Sequence, residues 1–270
     1  MRGDDASGAT AQSWFVRADR RSVSGSFDDR ETAGSRRLTA ALGLALRPSP
    51  AAVLDLGCGG GELISDLRAL DRDAVLVGLD PAPEAVAAAT SRHAGDPAVH
   101  ILAGTAERLP EALAARGYDG PRHFDLVLCH LNLGLWSDPG QGLRQAVSHL
   151  GAGGTLYLVD VAAPQDEADR ERFLDLARTP QERAYLHDQL AASFDVAALD
   201  DLLRRAAAEA GGSAVVHVAR GGLAGYPYDS AEAADLWTAP GVAQAVAAFD
   251  GDEAATAKAD TVLYARLRRP

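Results

Sequence analysis

The chain has 270 residues, 47% of them hydrophobic and 24% charged, the proportions of an ordinary globular protein with ample core. A formal net charge of −12 argues against nucleic acid as substrate, because phosphate contacts need a basic face and the Lys/Arg clusters are only pairs such as Arg36-Arg37 and Arg204-Arg205. No apolar run approaches the roughly 18 residues of a membrane span, the first residues lack a signal peptide's apolar segment, and Cys58 and Cys129 are too few for a disulfide framework. The expectation is a cytoplasmic protein with reduced thiols and no membrane partner.

In chain order, residues 1–12 are small and polar and read as a flexible tail. Residues 13–50 carry Trp14, Phe15 and several arginines, then the helical spacing Leu38, Leu42, Leu46, and read as an N-terminal lid and helix. Ala51 to Leu56 is a short apolar run, expected as a buried parallel strand. It breaks into Gly57-Cys58-Gly59-Gly60-Gly61 before a helical pattern from Glu62 to Leu70. A second apolar run, Ala74 to Leu79, ends on Asp80, after which Pro81 or Pro83 opens a helix to about His93. Strands follow at Val99 to Ala103 and Phe124 to His130, with a short helix at 111–116 between them. Residues 140–150 read as a helix, Gly151 to Gly154 as a turn, and 155–161 as a fifth strand. This alternation predicts a doubly wound, mostly parallel α/β core over 51–161.

Beyond the core, residues 162–212 hold three expected helices, at 166–177, 180–192 and 196–210. Residues 213–270 hold a final strand pair, 214–219 and 261–266, separated by a helical insertion at 223–258. The insertions and the N-terminal segment read as a lid over the carboxyl ends of the strands, where ligands of open α/β sheets bind. The aromatics Trp14, Phe15, Tyr185, Tyr226, Tyr228 and Trp237 all fall in these additions.

Glycines let the backbone turn sharply and approach a ligand without a Cβ in the way, and an acid ending the next strand can accept bonds from both hydroxyls of a ribose. The chain is therefore expected to bind a nucleoside-bearing cofactor. A dinucleotide site wants G-x-G-x-x-G, but its third glycine position is Glu62, an acid placed where a pyrophosphate would lie. The spacing found is D-x-G-x-G-x-G from Asp55. Together with Gly78-Leu79-Asp80-Pro81 it resembles motif I and the ribose motif of the class I S-adenosylmethionine-dependent methyltransferases, whose cofactor carries no phosphate. Phe124 to Leu128 is similar to the family's fourth strand. His149 to Leu156 is similar to its L-x-P-G-G-x-L turn, with Ala152 in place of proline. Gly104-Thr105-Ala106-Glu107 stands at its adenine-contacting segment, with Thr105 where an acid usually sits; a hydroxyl can still accept the adenine amino group.

The resemblance covers about residues 51–161. It implies a seven-stranded sheet in the order 3-2-1-4-5-7-6 with the last strand antiparallel, and S-adenosyl-L-methionine as cofactor. Asp55, Gly57, Cys58, Gly59 and Gly61 would line the cofactor loop, and Asp80 with Pro81 would hold the ribose. Thr105, Ala106 and Glu107 would meet the adenine. A backbone carbonyl at about Cys129 would take the cofactor's amino group, and Arg36 is a candidate for its carboxylate.

Methyl transfer needs positioning first, and a base only if the nucleophile arrives protonated. The candidates are His130, after the fourth strand, and Asp160, ending the fifth, where an acid closing an apolar strand must find a partner. The expected acceptor is an amine or hydroxyl of a small metabolite, natural-product intermediate or short peptide, and Glu167, Asp169 and Glu171 would favour a cationic one. No C-x-x-C or H-x-x-x-H spacing supports a metal. Two other readings remain. A nicotinamide-dependent oxidoreductase is disfavoured by Glu62 and by the absence of a Tyr-x-x-x-Lys pair. The third is a cofactor-binding protein without methyl turnover.

Overall fold

The computed structural model describes residues 33–220, 236, 239–250 and 262–270. Seven strands form one sheet: β1 Ala52–Leu56, β2 Val75–Asp80, β3 Val99–Ala103, β4 Phe124–His130, β5 Leu150–Val161, β6 Val215–Arg220 and β7 Val262–Arg268. Their order is β3-β2-β1-β4-β5-β7-β6, as expected. β1 to β5 run parallel, and β7 is antiparallel to both β5 and β6.

The central strands are apolar on both faces because both faces are covered. Successive residues point to opposite sides, so Leu54, Leu56, Val127, Cys129, Leu156 and Leu158 join one buried cluster while Val53, Leu126, Leu128, Tyr157 and Val159 join the other. The second face is covered by α1 Ala33–Leu46, α2 Glu62–Leu70 and α9 Pro240–Asp250. Leu38, Ala41 and Leu42 form the buried stripe of α1, and Gly43 brings it down onto β4: a Cβ there would lie 2.9 Å from Leu128 Cδ2. Helix α3 Pro83–Arg92 buries only Ala89, consistent with its place beside the edge strand β3. The first face is covered by α4 Leu109–Leu113, α5 Pro139–Ser148 and α8 Val196–Glu209.

Two differences from the expected elements have local causes. Proline suits the first turn of a helix, where its missing N–H is not needed. Pro110 accordingly starts α4 earlier than expected, at Leu109, and Pro83, one of the two prolines expected there, opens α3. Gly151 to Gly154 do not end an element. They bulge within β5, whose pairing passes from Phe124↔Leu150 to Leu126↔Thr155, with Gly153 at φ 69°.

Residues after β5 form α6 Glu167–Leu174 and α7 Pro180–Ala191, capped by the side chains of Asp166 and Thr179. Phe173, Leu174, Tyr185 and Leu186 pack with Val161 at the end of β5 and with Leu131 just past β4. Arg220, ending β6, pairs with buried Asp169 and donates to Ala163 O, which ties this insertion to the sheet. The expected tail, Trp14, Phe15, Tyr226, Tyr228, Trp237 and most of the second insertion lie outside the described residues. Among the described residues no helix is long and apolar enough to cross a membrane.

Candidate active site

The loop after β1 crosses the end of β2, with Gly57 N and Cys58 N both donating to Leu79 O at 2.8 and 3.0 Å. Gly57, Gly59 and Gly61 have φ of 75°, 52° and 83°, the left-handed region that costs an ordinary side chain strain. The glycines differ in what surrounds them. A Cβ on Gly57 would lie 2.4 Å from Asn132 Nδ2, whereas a Cβ on Gly59 would meet nothing within 4 Å. Gly57 is thus a packing contact, and Gly59 borders open volume. Gly78 lets the loop settle on β2, since its Cβ would come 2.8 Å from Cys58 Sγ.

Asp80 ties the two strand ends together. Its Oδ2 accepts from Gly59 N at 3.0 Å and its Oδ1 from Ala82 N at 2.8 Å. Burial raises its pKa despite these two donors. Each carboxylate oxygen can accept more than the one bond it makes here, and Pro81 follows Asp80 in the chain.

Asp55, inside β1, is 2% exposed, and its Oδ2 has no partner among the described residues. Burial first, then the nearby carboxylates Asp80 and Glu62, push its pKa up to about 8, and Arg36 opposes them. Buried polar groups are nearly always satisfied, so an orphaned carboxylate oxygen under a glycine loop fits a bound ligand that brings hydrogen-bond donors or positive charge. Arg36, on α1, donates from Nε to Asp66 Oδ2 at 2.8 Å, and its charge is felt at both Asp55 and His130. Glu62 folds over Gly60 and pairs with Arg92. A carboxylate therefore fills the helix N-terminus that a dinucleotide's pyrophosphate would use.

At the exit of β4, the His130 ring lies 3.2 Å by Nε2 from Ser35 Oγ of α1. Desolvation, then Arg36, push its pKa down to about 3, so the ring is neutral. Cys129 is fully buried and donates from Sγ to Asn132 Oδ1 at 3.2 Å. Both cysteines are free, and burial followed by neighbouring carboxylates raises both thiols. Asp160 is 3% exposed. Its Oδ2 accepts from Leu133 N and its Oδ1 from Val161 N, both at 2.6 Å. Gly134 N adds a third donor, and burial still pushes the carboxyl up to about 6.

Thr105 precedes the 3₁₀ turn Ala106–Arg108, and Ala106 is buried against α5 near Gly142. Glu107 Oε1 accepts from Asp138 N at 3.1 Å, so this carboxylate is held to the loop before α5. The expected acidic patch beyond β5 corrects in one respect: Glu167 pairs with Arg170, Glu171 with Arg183, and Asp169 with Arg172 and Arg220. Its charge is locally neutralised, which removes it as an argument for a cationic acceptor.

Sequence reasoning missed two residues. Asn132 bridges the glycine loop and the β4 exit, and Ser35 meets His130. Asn132 had a signal, a polar residue directly after an apolar strand; Ser35 had none. Among the described residues no group of three His, Cys, Asp or Glu side chains is placed to hold a metal.

A family profile described as "Methyltransferase domain" matches residues 54–156, the segment from β1 into β5. The ubiquinone biosynthesis O-methyltransferase of Azorhizobium caulinodans is 40% identical over 96 residues, which are 35% of this chain and 34% of that protein. The match thus spans about a third of the curated relative's length. Among solved structures, the plantazolicin methyltransferase BamL in complex with a triazolic desmethylPZN analog and SAH superposes with a TM-score of 0.83 at 23% identity, covering 97% of this chain and 96% of that one. The plantazolicin methyltransferase BpumL in complex with SAH gives 0.78 at 24%, covering 97% and 95%. At such identities the superpositions establish the fold. Residues 54–156 thus match a methyltransferase domain, and the sheet order, with an Asp80-anchored glycine loop at the strand ends, is consistent with the fold of the class I S-adenosylmethionine-dependent methyltransferases.

Proposed function

We propose that the protein transfers a methyl group from S-adenosyl-L-methionine to an amine or hydroxyl of a small metabolite, natural-product intermediate or short peptide. The observation that carries the cofactor half is the joint geometry of Asp80, bonded to Gly59 N, of the uncrowded Gly59 and of the buried Asp55 Oδ2 that has no partner among the described residues. When bound, the cofactor supplies a methyl group already activated on a sulfonium. The glycine loop and Asp55 hold one end of it, Asp80 and Pro81 the ribose, and Thr105 with Ala106 the base. Arg36 would answer the cofactor's carboxylate, a reading supported by the reach of its charge to Asp55 and His130.

For the acceptor half, positioning supplies the acceleration, and effective molarities from alignment alone reach on the order of 10⁵ M and above. With its pKa pushed down to about 3 by desolvation and Arg36, the neutral His130 ring is too weak a base to take a proton readily near neutral pH, and we read it as an orienting contact. Asp160, with three backbone donors, fits an anchor of the segment after β4. The insertion at 162–212 covers the acceptor, a reading supported by the packing of Phe173 and Tyr185 against Val161 and Leu131 at the strand ends. The small-molecule and peptide classes are supported by the substrate analogues bound in the plantazolicin enzymes and by the O-methyltransferase relative.

The test pairs calorimetry with methyl-labelled cofactor and a panel of amine and hydroxyl acceptors. Micromolar binding of S-adenosylhomocysteine and label transfer to at least one acceptor are expected. Binding of nicotinamide dinucleotides in place of S-adenosylhomocysteine would overturn the assignment. Cofactor binding without transfer to any acceptor would leave a binding role alone.

A further inference from the structure

The segment leaving β4 is held in a conformation it would not adopt unaided. Leu131 sits at φ 57°, a left-handed geometry that costs a residue with a branched side chain on the order of 1–3 kcal/mol. Such strain persists only where surrounding contacts over-determine it. Here two side chains do so from opposite sides. Asp160, on β5, grips Leu133 N and Gly134 N. Asn132 reaches across to β1.

The Asn132 amide uses both of its ends. Its Nδ2 donates to Leu56 O at 2.8 Å, with Gly57 O at 3.4 Å and His130 O at 3.2 Å. Its Oδ1 accepts from the indole Trp136 Nε1 at 2.8 Å and from Cys129 Sγ. Leu56 and Gly57 are the residues at which β1 becomes the glycine loop, and Gly57 leaves no room for a Cβ against this amide. Donor and acceptor cannot be exchanged: a carbonyl pair requires the N–H₂ end, and an indole N–H requires the oxygen.

We infer that Asn132 is a positioning residue whose donor end sets the glycine loop for the cofactor and whose acceptor end fastens that loop to the acceptor-side segment through Trp136. This rests on the cofactor reading above. It assigns a role to a residue that touches neither reacting group.

Three variants separate the two ends. Asn132→Asp keeps an oxygen for the indole but sets a carboxylate against Leu56 O and Gly57 O. Trp136→Phe removes the indole donor while leaving the amide on the loop. Asn132→Ser is a smaller replacement that serves if the aspartate variant does not fold. For each variant, calorimetry measures S-adenosylhomocysteine affinity well below its melting temperature. ¹⁵N spectra follow the Trp136 indole N–H, assigned by its loss in Trp136→Phe.

The expected result is a loss of affinity of about 10-fold or more in Asn132→Asp and Asn132→Ser, from a bond and its desolvation worth ~1.5–3 kcal/mol. Trp136→Phe should stay within about threefold of wild type. In the unmutated protein the Trp136 indole resonance should move on binding, and in Asn132→Ser that response should vanish. Wild-type affinity in folded Asn132→Asp or Asn132→Ser would overturn the inference. So would an equal loss in Trp136→Phe, which would mean that the amide only seats the indole. Failure of the unmutated protein to bind S-adenosylhomocysteine would instead remove the cofactor reading itself.

Discussion

Asp55 gives the sharpest pH prediction. Its carboxyl is raised to about 8 by burial and by Asp80 and Glu62, with Arg36 opposing, so near neutral pH the ligand-free site is mostly protonated there. A positively charged group arriving against Oδ2 favours the ionised form, so binding should expel a proton. Affinity then scales with the fraction already ionised. Relative to the high-pH limit it is reduced roughly 100-fold at pH 6, 10-fold at pH 7 and twofold at pH 8, giving roughly a 50-fold rise from pH 6 to pH 8. The assay is calorimetric titration with S-adenosylhomocysteine across that window, repeated at pH 7 in two buffers of different ionisation enthalpy. Close to one proton should be released, and Asp55→Asn should abolish the slope. An affinity flat from pH 6 to pH 8, or a slope that survives in Asp55→Asn, would refute the reasoning. The stability sign follows from the same group. Between the unfolded value of about 4 and the folded value, the folded state binds more protons than the unfolded state, so the ligand-free protein should lose stability as pH rises.

Asp80→Ala removes a charged acceptor and a tie to Gly59; cofactor affinity should fall roughly 10- to 150-fold, and unchanged affinity in a folded variant would remove Asp80 from the site. Asp160→Asn turns an N–H₂ toward a backbone N–H, so it should destabilise by about 1–3 kcal/mol, seen as a lower Tm. An unaltered Tm with intact cofactor affinity and a turnover loss of about 100-fold would instead return Asp160 to the role of proton acceptor. Arg220→Ala leaves buried Asp169 short of a partner and should cost about 3 kcal/mol, a Tm drop of roughly 5–10 °C; a loss within error would show that Arg172 and Gln165 N suffice. Gly59→Ala should fold, because nothing crowds its Cβ, yet weaken cofactor binding, whereas Gly57→Ala should lose stability outright against Asn132, as thermal melts would show.

The sheet and the cofactor loop were legible because their determinants are local. Each central strand is a short apolar run, each helix a periodic one, and alternation of the two leaves a parallel sheet few alternatives in order. The glycines at 57, 59 and 61 and the acid at 80 lie within one strand-helix-strand unit, so their spacing alone brings them together at the strand ends, where Gly59 N donates to Asp80. The β4 exit was not legible in the same way. Asn132 finds Leu56 across 76 residues, His130 finds Ser35 across 95, and Asp160 finds Leu133 across 27. A residue type announces that a buried carboxylate, amide or imidazole must be satisfied, but which group satisfies it depends on strands brought together by the fold. That is why Asp160 and His130, read as candidate bases, do lie at the ends of their strands, while their bonds became legible only with their neighbours. Backbone donors occupy Asp160, and desolvation with a nearby guanidinium strips His130 of its proton. Sequence sets the charge a group carries in water; only its partners and its distance from solvent in the folded chain decide the charge and the bonds it keeps.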